Sequence, residues 1–333
     1  MSVRVFVVRP WHLPALLSAF LLVNPRRRDI VAFRGRLMPA ILAAGCGLPG
    51  LLPGHRAYMV GADGRFTGLG VTRPRHERRQ ASIISLVLQG APPLALAVDE
   101  APGASELHLC ADLLGGICAD HAAQGFVSVF ARLPDPSAFE PAFAEAGFAT
   151  AVREHTYVRP PASAPEPPDI PGLRVQDAAD AWEVFQLYRQ TTPAPVQQAE
   201  ALTSRRWESP SLGRSVFRGG GRPSEIYVVD GPHGLDAWLE VRLDAGDGHR
   251  LELMVHPRSD HLVTALLAHA LWRAGQGTVR PVGATVRDHQ ASIAAGLRAA
   301  GFDPSATHRL LVKHMAIRVS GKMLRGALDR ATN

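Results

Sequence analysis

Two stretches of this chain, about 150 residues apart, carry the same succession of residues, and no other feature restricts the fold as much. The first reads Phe130-Ala-Arg132, then a helical pattern from Ser137 that closes on Ala146-Gly147-Phe148, then the strand-like run from His155 to Val158. The second reads Thr285-Val-Arg287, a helical pattern from Ala291 that closes on Ala300-Gly301-Phe302, and then Leu310 to Met315. Another helix with matching ends precedes each, at Ala122-Ala-Gln-Gly125 and at Ala274-Gly-Gln-Gly277. Glycine just past a helical run marks a stop, because it takes up the left-handed backbone that ends a helix. The repeated unit is far longer than the roughly 20–50 residues of a solenoid repeat, so a whole domain is duplicated.

The chain of 333 residues is long enough for two such domains, each with its own core. A hydrophobic content of 46% with mixed charge is that of a globular protein. The formal charge is +6, supplied by arginine except for Lys313 and Lys322. The densest basic run, Arg73 to Arg79, has no aromatic residues among its charges, as a single-strand surface would need, so a nucleic-acid partner is not expected. Anionic ligands in general, phosphorylated cofactors included, remain compatible with the charge. Cys46, Cys110 and Cys118 form an odd set without a Cys-x-x-Cys pair, which fits a reducing compartment and argues against a disulfide scaffold or a zinc site. The apolar run from Leu13 to Val23 is too short to span a bilayer and lacks a small-x-small cleavage site. The expectation is a cytoplasmic chain with no membrane partner.

Prolines crowd the segment from Arg159 to Gly172, which forbids helix and sheet and favours an extended spacer near the midpoint. The expected organisation is an N-terminal domain over 1–159, a linker over 160–172, a C-terminal domain over 173–320 and a tail over 321–333. In the second half the pattern predicts a short strand at 173–175, helices at 178–190 and 196–207, and a hairpin of 225–229 with 235–243. A strand at 251–255, a helix from 262, a strand at 281–287, a helix at 290–300 and one or two strands at 309–319 follow. In the first half, strands are expected at 3–8 and 82–88, helices between them through Leu51, and a hairpin at 58–72. An irregular insertion at 90–107 precedes a helix over 111–123.

In this order of elements and in its Gly-Phe endings, the chain resembles the GNAT N-acetyltransferase superfamily over essentially its whole length. The resemblance implies an α/β fold with a mixed α+β sheet, built as two tandem acyl-CoA N-acyltransferase domains. In each, the fourth and fifth strands splay apart and acyl-CoA lies in the splay. The matching residues in the second copy are Leu251 to Pro257 as the fourth strand, His261 to Ala274 as the next helix, and Gln290 to Phe302 as the helix ending in Gly-Phe. Acetyl-CoA or another acyl-CoA is the implied co-substrate, with a small-molecule amine as acceptor and no metal. It would lie along Leu253 and Val255, with its pyrophosphate near Arg258, Ser259, His261 and Leu262. Glu252, on the strand face opposite Leu251 and Leu253, is the candidate base that would deprotonate the amine. The other reading of Glu252 is an ordinary strand carboxylate.

Both copies depart from the family pattern. Pro257-Arg-Ser-Asp-His-Leu262 contains no glycine, whereas the family uses glycines here so that backbone N–H groups can approach the pyrophosphate. The first copy has Gly103 alone in Ala101 to His108. Asp260 and Glu106, near the helix starts, would cap N–H groups and repel a diphosphate. Leu297 and Phe143 stand where the family often has a tyrosine, and the first copy's fourth strand has no carboxylate. A catalytically inactive tandem binding protein is therefore the alternative. His256, His261 and His269 are five and eight apart rather than three or four, which does not suit a metal site on one helix face.

Overall fold

The computed structural model describes residues 4–9, 54–62, 65–75, 79–88, 102–161, 166–208, 224–243 and 248–316. They group into two compact units. The first comprises Met1–Ala131, Ser137–Ala149 and Val312–Asn333; the second comprises Arg132–Pro136 and Thr150–Leu311. Residues 150–159, although they precede the proline-rich segment, thus belong to the second unit.

In the first unit, β1 (Arg4–Val7), β2 (Arg56–Ala62), β3 (Arg65–Pro74) and β4 (Gln80–Leu88) form an antiparallel run in that order. Helix α1 (Ala104–Ala123) then crosses to β5 (Ser128–Pro134), which pairs with β4 in parallel. Helix α2 (Glu140–Glu145) follows, and the next strand, β6 (Ala149–Arg159), belongs from Thr150 onward to the second unit. Helix α1 buries Leu113, Leu114 and Ile117. Its close approach depends on Gly116, where a Cβ would stand 2.5 Å from Val5 Cβ, far inside van der Waals contact.

In the second unit the order along the chain is β7 (Leu173–Val175), α3 (Ala181–Thr191), α4 (Ala194–Glu200), β8 (Glu225–Gly231), β9 (Gly234–Arg242) and β10 (His249–Val255). Then come α5 (Leu262–Gly275), β11 (Val282–Arg287), α6 (Ala291–Ala299) and β12 (Asp303–His314). The sheet runs β12-β6-β11-β10-β9-β8-β7, so β6 sits beside β11, to which it is antiparallel. Strand alternation sends Leu251, Leu253 and Val255 of β10, with Val282, Ala284 and Val286 of β11, into one core under α5 and α6. The other face buries Trp238 and Met254 against Ala181, Val184, Leu187 and Tyr188 of α3.

The repeated Gly-Phe endings have one physical cause. Gly147 and Gly301 have φ of 81° and 80°, a region that residues with a Cβ rarely adopt. Gly147 N–H donates to Ala144 O at 2.9 Å and Phe148 N–H to Phe143 O at 2.9 Å. In the second copy Gly301 N–H reaches Arg298 O at 3.0 Å and Phe302 N–H reaches Leu297 O at 3.0 Å. This paired closure is a Schellman motif, which satisfies terminal carbonyls and tucks the following apolar residue against the helix. Both phenylalanines are buried accordingly.

Three expectations change. The helix expected over 196–207 ends at Glu200, because Ala201 turns left-handed at φ 46°; a short 3-10 turn, Ser204–Arg206, follows. Helix α1 begins at Ala104, so the end of the expected insertion is helical; its Glu106 reaches back to Gly103 N–H at 2.9 Å and fixes that start. Strand β12 starts at Asp303, directly after the Gly-Phe closure. The helices expected through Leu51, residues 63 and 64 of the hairpin expected at 58–72 and the tail over 321–333 fall outside the described residues.

Candidate functional site

In the second unit β10 and β11 pair in parallel only from His249↔Val282 to Leu251↔Ala284. Beyond that point β10 continues against β9 alone, and β11 against β6 alone. The two strands therefore splay at Leu251 and Ala284. The next residue on β10 is Glu252, on the α3-facing side, directly opposite Glu240 of β9.

A connected set of charges covers this side. Arg242 of β9 grips Glu240 with two bonds of 2.8 and 2.7 Å and donates a third, 2.8 Å, to Glu252. The Glu240 hydrogen bond comes first among the causes that hold Arg242 above its ordinary pKa. Burial, the largest single influence, pushes the Glu240 carboxyl up, but its hydrogen bond and attraction to Arg242, with Arg206 and Ser224 beside it, together outweigh this and the net shift is downward. Across the splay, Arg287 closes β11 and makes a two-bonded pair with Glu200 of α4 at 2.6 and 3.1 Å. The Glu200 side chain is 2% exposed and also accepts from the Tyr188 hydroxyl at 2.8 Å. Burial alone would depress Arg287; its attraction and hydrogen bonds to Glu200, with Glu154 and Glu252 nearby, hold it charged. Glu154 of β6 lies opposite Arg287 in register and is bonded to Arg132 at 2.8 Å.

The sequence-predicted site residues fall into three groups. Glu252 is half exposed beside the splay, with Arg242 as its ion-pair partner. Leu253 and Val255 put their side chains into the core, so only their backbone is available to a ligand, and Leu253 O already accepts from Gln290 Nε2 at 3.2 Å. Arg258, Ser259, His261 and Leu262 form the connection to α5. There the Arg258 N–H donates to His256 Nδ1 at 3.2 Å and the buried Ser259 N–H to His256 O at 2.8 Å. The Arg258 guanidinium is tied to Asp236 at 3.0 Å. His261, rather than Asp260, caps α5, and its side chain makes no capping bond. Leu262 is the first residue of the helix and is partly buried. His269, farther along α5, stands edge-on to the Tyr227 ring at 4.8 Å, and burial depresses its pKa. No group of metal-ligating side chains occurs among the described residues.

Sequence reading missed Arg287, Glu200, Tyr188, Glu154 and Gln290 as members of one site. The signal for Arg287 was present, as the one charge ending the otherwise uncharged strand Val-Gly-Ala-Thr-Val-Arg. Glu154 lies on the other side of the proline-rich segment, and nothing local announces that β6 joins β11.

No family model matches the sequence, and no curated protein matches it. Among solved structures, a GCN5-related N-acetyltransferase from Sphaerobacter thermophilus is similar with a TM-score of 0.53 and 15% identity, over 94% of this chain and 95% of that one. A tandem GNAT protein from the clavulanic acid biosynthesis pathway, solved without acetyl-CoA, has a TM-score of 0.51 and 14% identity, over 94% of this chain and 98% of its own. With the strand order, the splay at Leu251 and Ala284 and the Gly-Phe closures in both copies, these similarities establish that the chain has a GNAT-like fold.

Proposed function

We propose that the second unit binds an acyl-CoA, acetyl-CoA in the simplest case, and transfers its acyl group to the nitrogen of a small amine. The observation that carries this reading is the splay: β10 and β11 separate at Leu251 and Ala284, and a carboxylate, Glu252, follows at once on the α3-facing side. The backbone of Leu253 and Val255 would meet the cofactor's amide-bearing arm. Arg258, Ser259, His261 and Leu262 would lie near its pyrophosphate. Glu252 would take a proton from the acceptor ammonium, so that the free amine attacks the thioester carbonyl. Leu297 is fully buried and has no proton to give the leaving thiolate, so that proton comes from solvent or from the acceptor itself. As units of the duplication we keep residues 1–159 and 173–320, joined by 160–172, and we take the protein to act in the cytoplasm.

A specific set of observations favours the second reading, a non-catalytic binding protein. The N–H groups of Arg258 and Ser259 are engaged within their own turn, Arg258 is engaged by Asp236, and Leu253 O is engaged by Gln290. Binding of acyl-CoA in this reading would have to displace these contacts. A thermal-shift titration separates the two. Acetyl-CoA at one hundred times its Kd stabilises a protein by about 2.7 kcal/mol, and the first reading expects a corresponding rise in Tm. An unchanged Tm at millimolar acetyl-CoA would favour the second.

A further inference from the structure

Strands β9 and β10 place two arginines directly opposite each other. Arg242 and Arg250 are register partners, and both lie on the α3-facing side of the sheet, two residues along their strands from Glu240 and Glu252 respectively. Like charges opposite each other on antiparallel strands, with Cβ atoms about 5 Å apart, destabilise a sheet. Arg242 is partly relieved by Glu240 and Glu252, through its Nε and Nη2 atoms. The Arg250 side chain is exposed and makes neither ion pair nor hydrogen bond among the described residues. Arg206 adds a third guanidinium, near enough to Glu240 to help lower its pKa. Three guanidiniums thus stand against two carboxylates, Glu240 and Glu252, which leaves one positive charge in excess.

From this arrangement we infer that the acceptor is an amino acid: its ammonium is delivered to Glu252 and its carboxylate is held by Arg250 and the outer edge of Arg242. This rests on the acyl-transfer reading of the same splay. The geometry suits it in two respects. Arg250 and Glu252 are two residues apart on one strand, about 7 Å between Cα atoms, within reach of the two charged ends of a small zwitterion through long side chains. The arginines lie on the closed side of the splay, where β10 and β11 are still paired, while an acyl-CoA would occupy the open side beyond Leu253. The acceptor therefore enters opposite the cofactor, with its nitrogen at the vertex. A single excess charge matches a carboxylate better than a doubly charged phosphate monoester, and the planar guanidinium fork matches its two oxygens. The reaction balances without another reagent. Glu252 takes one proton from the ammonium, the C–N bond forms as the C–S bond breaks, and a second nitrogen proton ends on the thiolate to give CoA-SH.

The test uses the full-length protein with acetyl-CoA and matched acceptors that differ only in the carboxylate: lysine against cadaverine, tyrosine against tyramine, histidine against histamine. O-phosphoethanolamine serves as the phosphate arm, and release of CoA thiol is the readout. At least one amino acid should exceed its decarboxylated partner in kcat/KM about tenfold or more. In Arg250→Gln that ratio should collapse toward one through KM rather than kcat, and Arg250→Lys should restore part of it. Decarboxylated amines that match or beat the amino acids, or a preference for O-phosphoethanolamine, would overturn the inference. If no acceptor turns over, the arginine Nε–Hε resonances decide. Amino acids at millimolar concentration should shift those of Arg242 and Arg250, and an unmoved spectrum overturns the inference. Acetyl-CoA binding is followed separately by calorimetry. Its absence would remove the acyl-transfer reading, whereas binding with unmoved arginine signals would remove only the amino-acid acceptor.

Discussion

In the first unit β4 and β5 run parallel from Gln80↔Ser128 to Ser82↔Phe130; in the second, β10 and β11 do so from His249↔Val282 to Leu251↔Ala284. Each pair then separates, so the backbone of the splay is present twice. The side chains around it are not. The residue after the last pair on the fourth strand is Ile83 in one unit and Glu252 in the other. Eleven positions before the closing glycine stand Pro136 and Gln290, and only Gln290 has an amide to place on the neighbouring strand. Fourteen positions before it stand Leu133, buried at 1%, and Arg287, paired with Glu200. The first unit keeps its polar network elsewhere, under α1, where Tyr58 donates to Asp120 at 2.8 Å and His121 Nε2 lies 3.0 Å from the Thr72 hydroxyl. Packing residues repeat between the copies because either unit needs them to fold. Among the described residues, the carboxylate, amide and arginine at these positions of the second copy are replaced in the first by Ile83, Pro136 and Leu133.

The largest expected difference between the units is catalytic. Glu252→Gln should lower kcat/KM for acetyl transfer by about 10²–10⁴-fold, the range for removing a general base, while Ile83→Gln should leave it unchanged. Equal effects from the two substitutions would erase the distinction drawn between the units. The next effect is on stability. Arg287→Ala leaves Glu200 buried without its cation and should cost about 3–5 kcal/mol in a urea titration. Adding Glu200→Gln should recover part of that loss, since the uncompensated charge is gone. A double variant no more stable than the single one would mean that packing, not charge, sets the cost.

The third effect belongs to the first unit. Burial lowers the His121 pKa to about 4, against an ordinary 6.5. The unfolded chain therefore takes up this proton first as pH falls, and the stability due to neutral His121, full above 6.5, is lost down to about pH 4. The loss is on the order of 3 kcal/mol. His121→Phe should flatten that part of the pH–stability curve; a curve of unchanged slope would assign the loss to other groups. Smallest is Asp260→Asn. Removing a carboxylate beside the N-terminus of α5 should tighten acetyl-CoA binding by about two- to fivefold in calorimetry. Weaker binding would place the pyrophosphate elsewhere.

The fold was largely legible in the sequence because its determinants are local. Gly147 and Gly301 announce helix ends through backbone geometry, and the alternation of Leu251, Leu253 and Val255 announces a strand and its buried face. Helix boundaries were less legible where one residue decided them, as at Ala201, an alanine in a left-handed conformation that no propensity predicts. Of the candidate site, Glu252 could be placed because it interrupts an apolar strand. Its neighbours could not. Arg242 and Arg250 become a pair only through the β9–β10 register, Glu200 meets Arg287 across 87 residues, and Glu154 arrives on a strand from before the proline-rich segment. The connection from Pro257 to Leu262 looked unsuited to a diphosphate for lack of glycine, and within it the N–H groups of Arg258 and Ser259 are bonded to His256.

The central claim is that one of the two splays, the one between β10 and β11, receives acyl-CoA. Hydrogen exchange on the full-length protein, with and without acetyl-CoA, tests it most directly. The account predicts slowed exchange at residues 253–262 and at Gln290, with residues 82–88 unchanged. Protection at 82–88 instead, or no protection in either unit at millimolar acetyl-CoA, would contradict it.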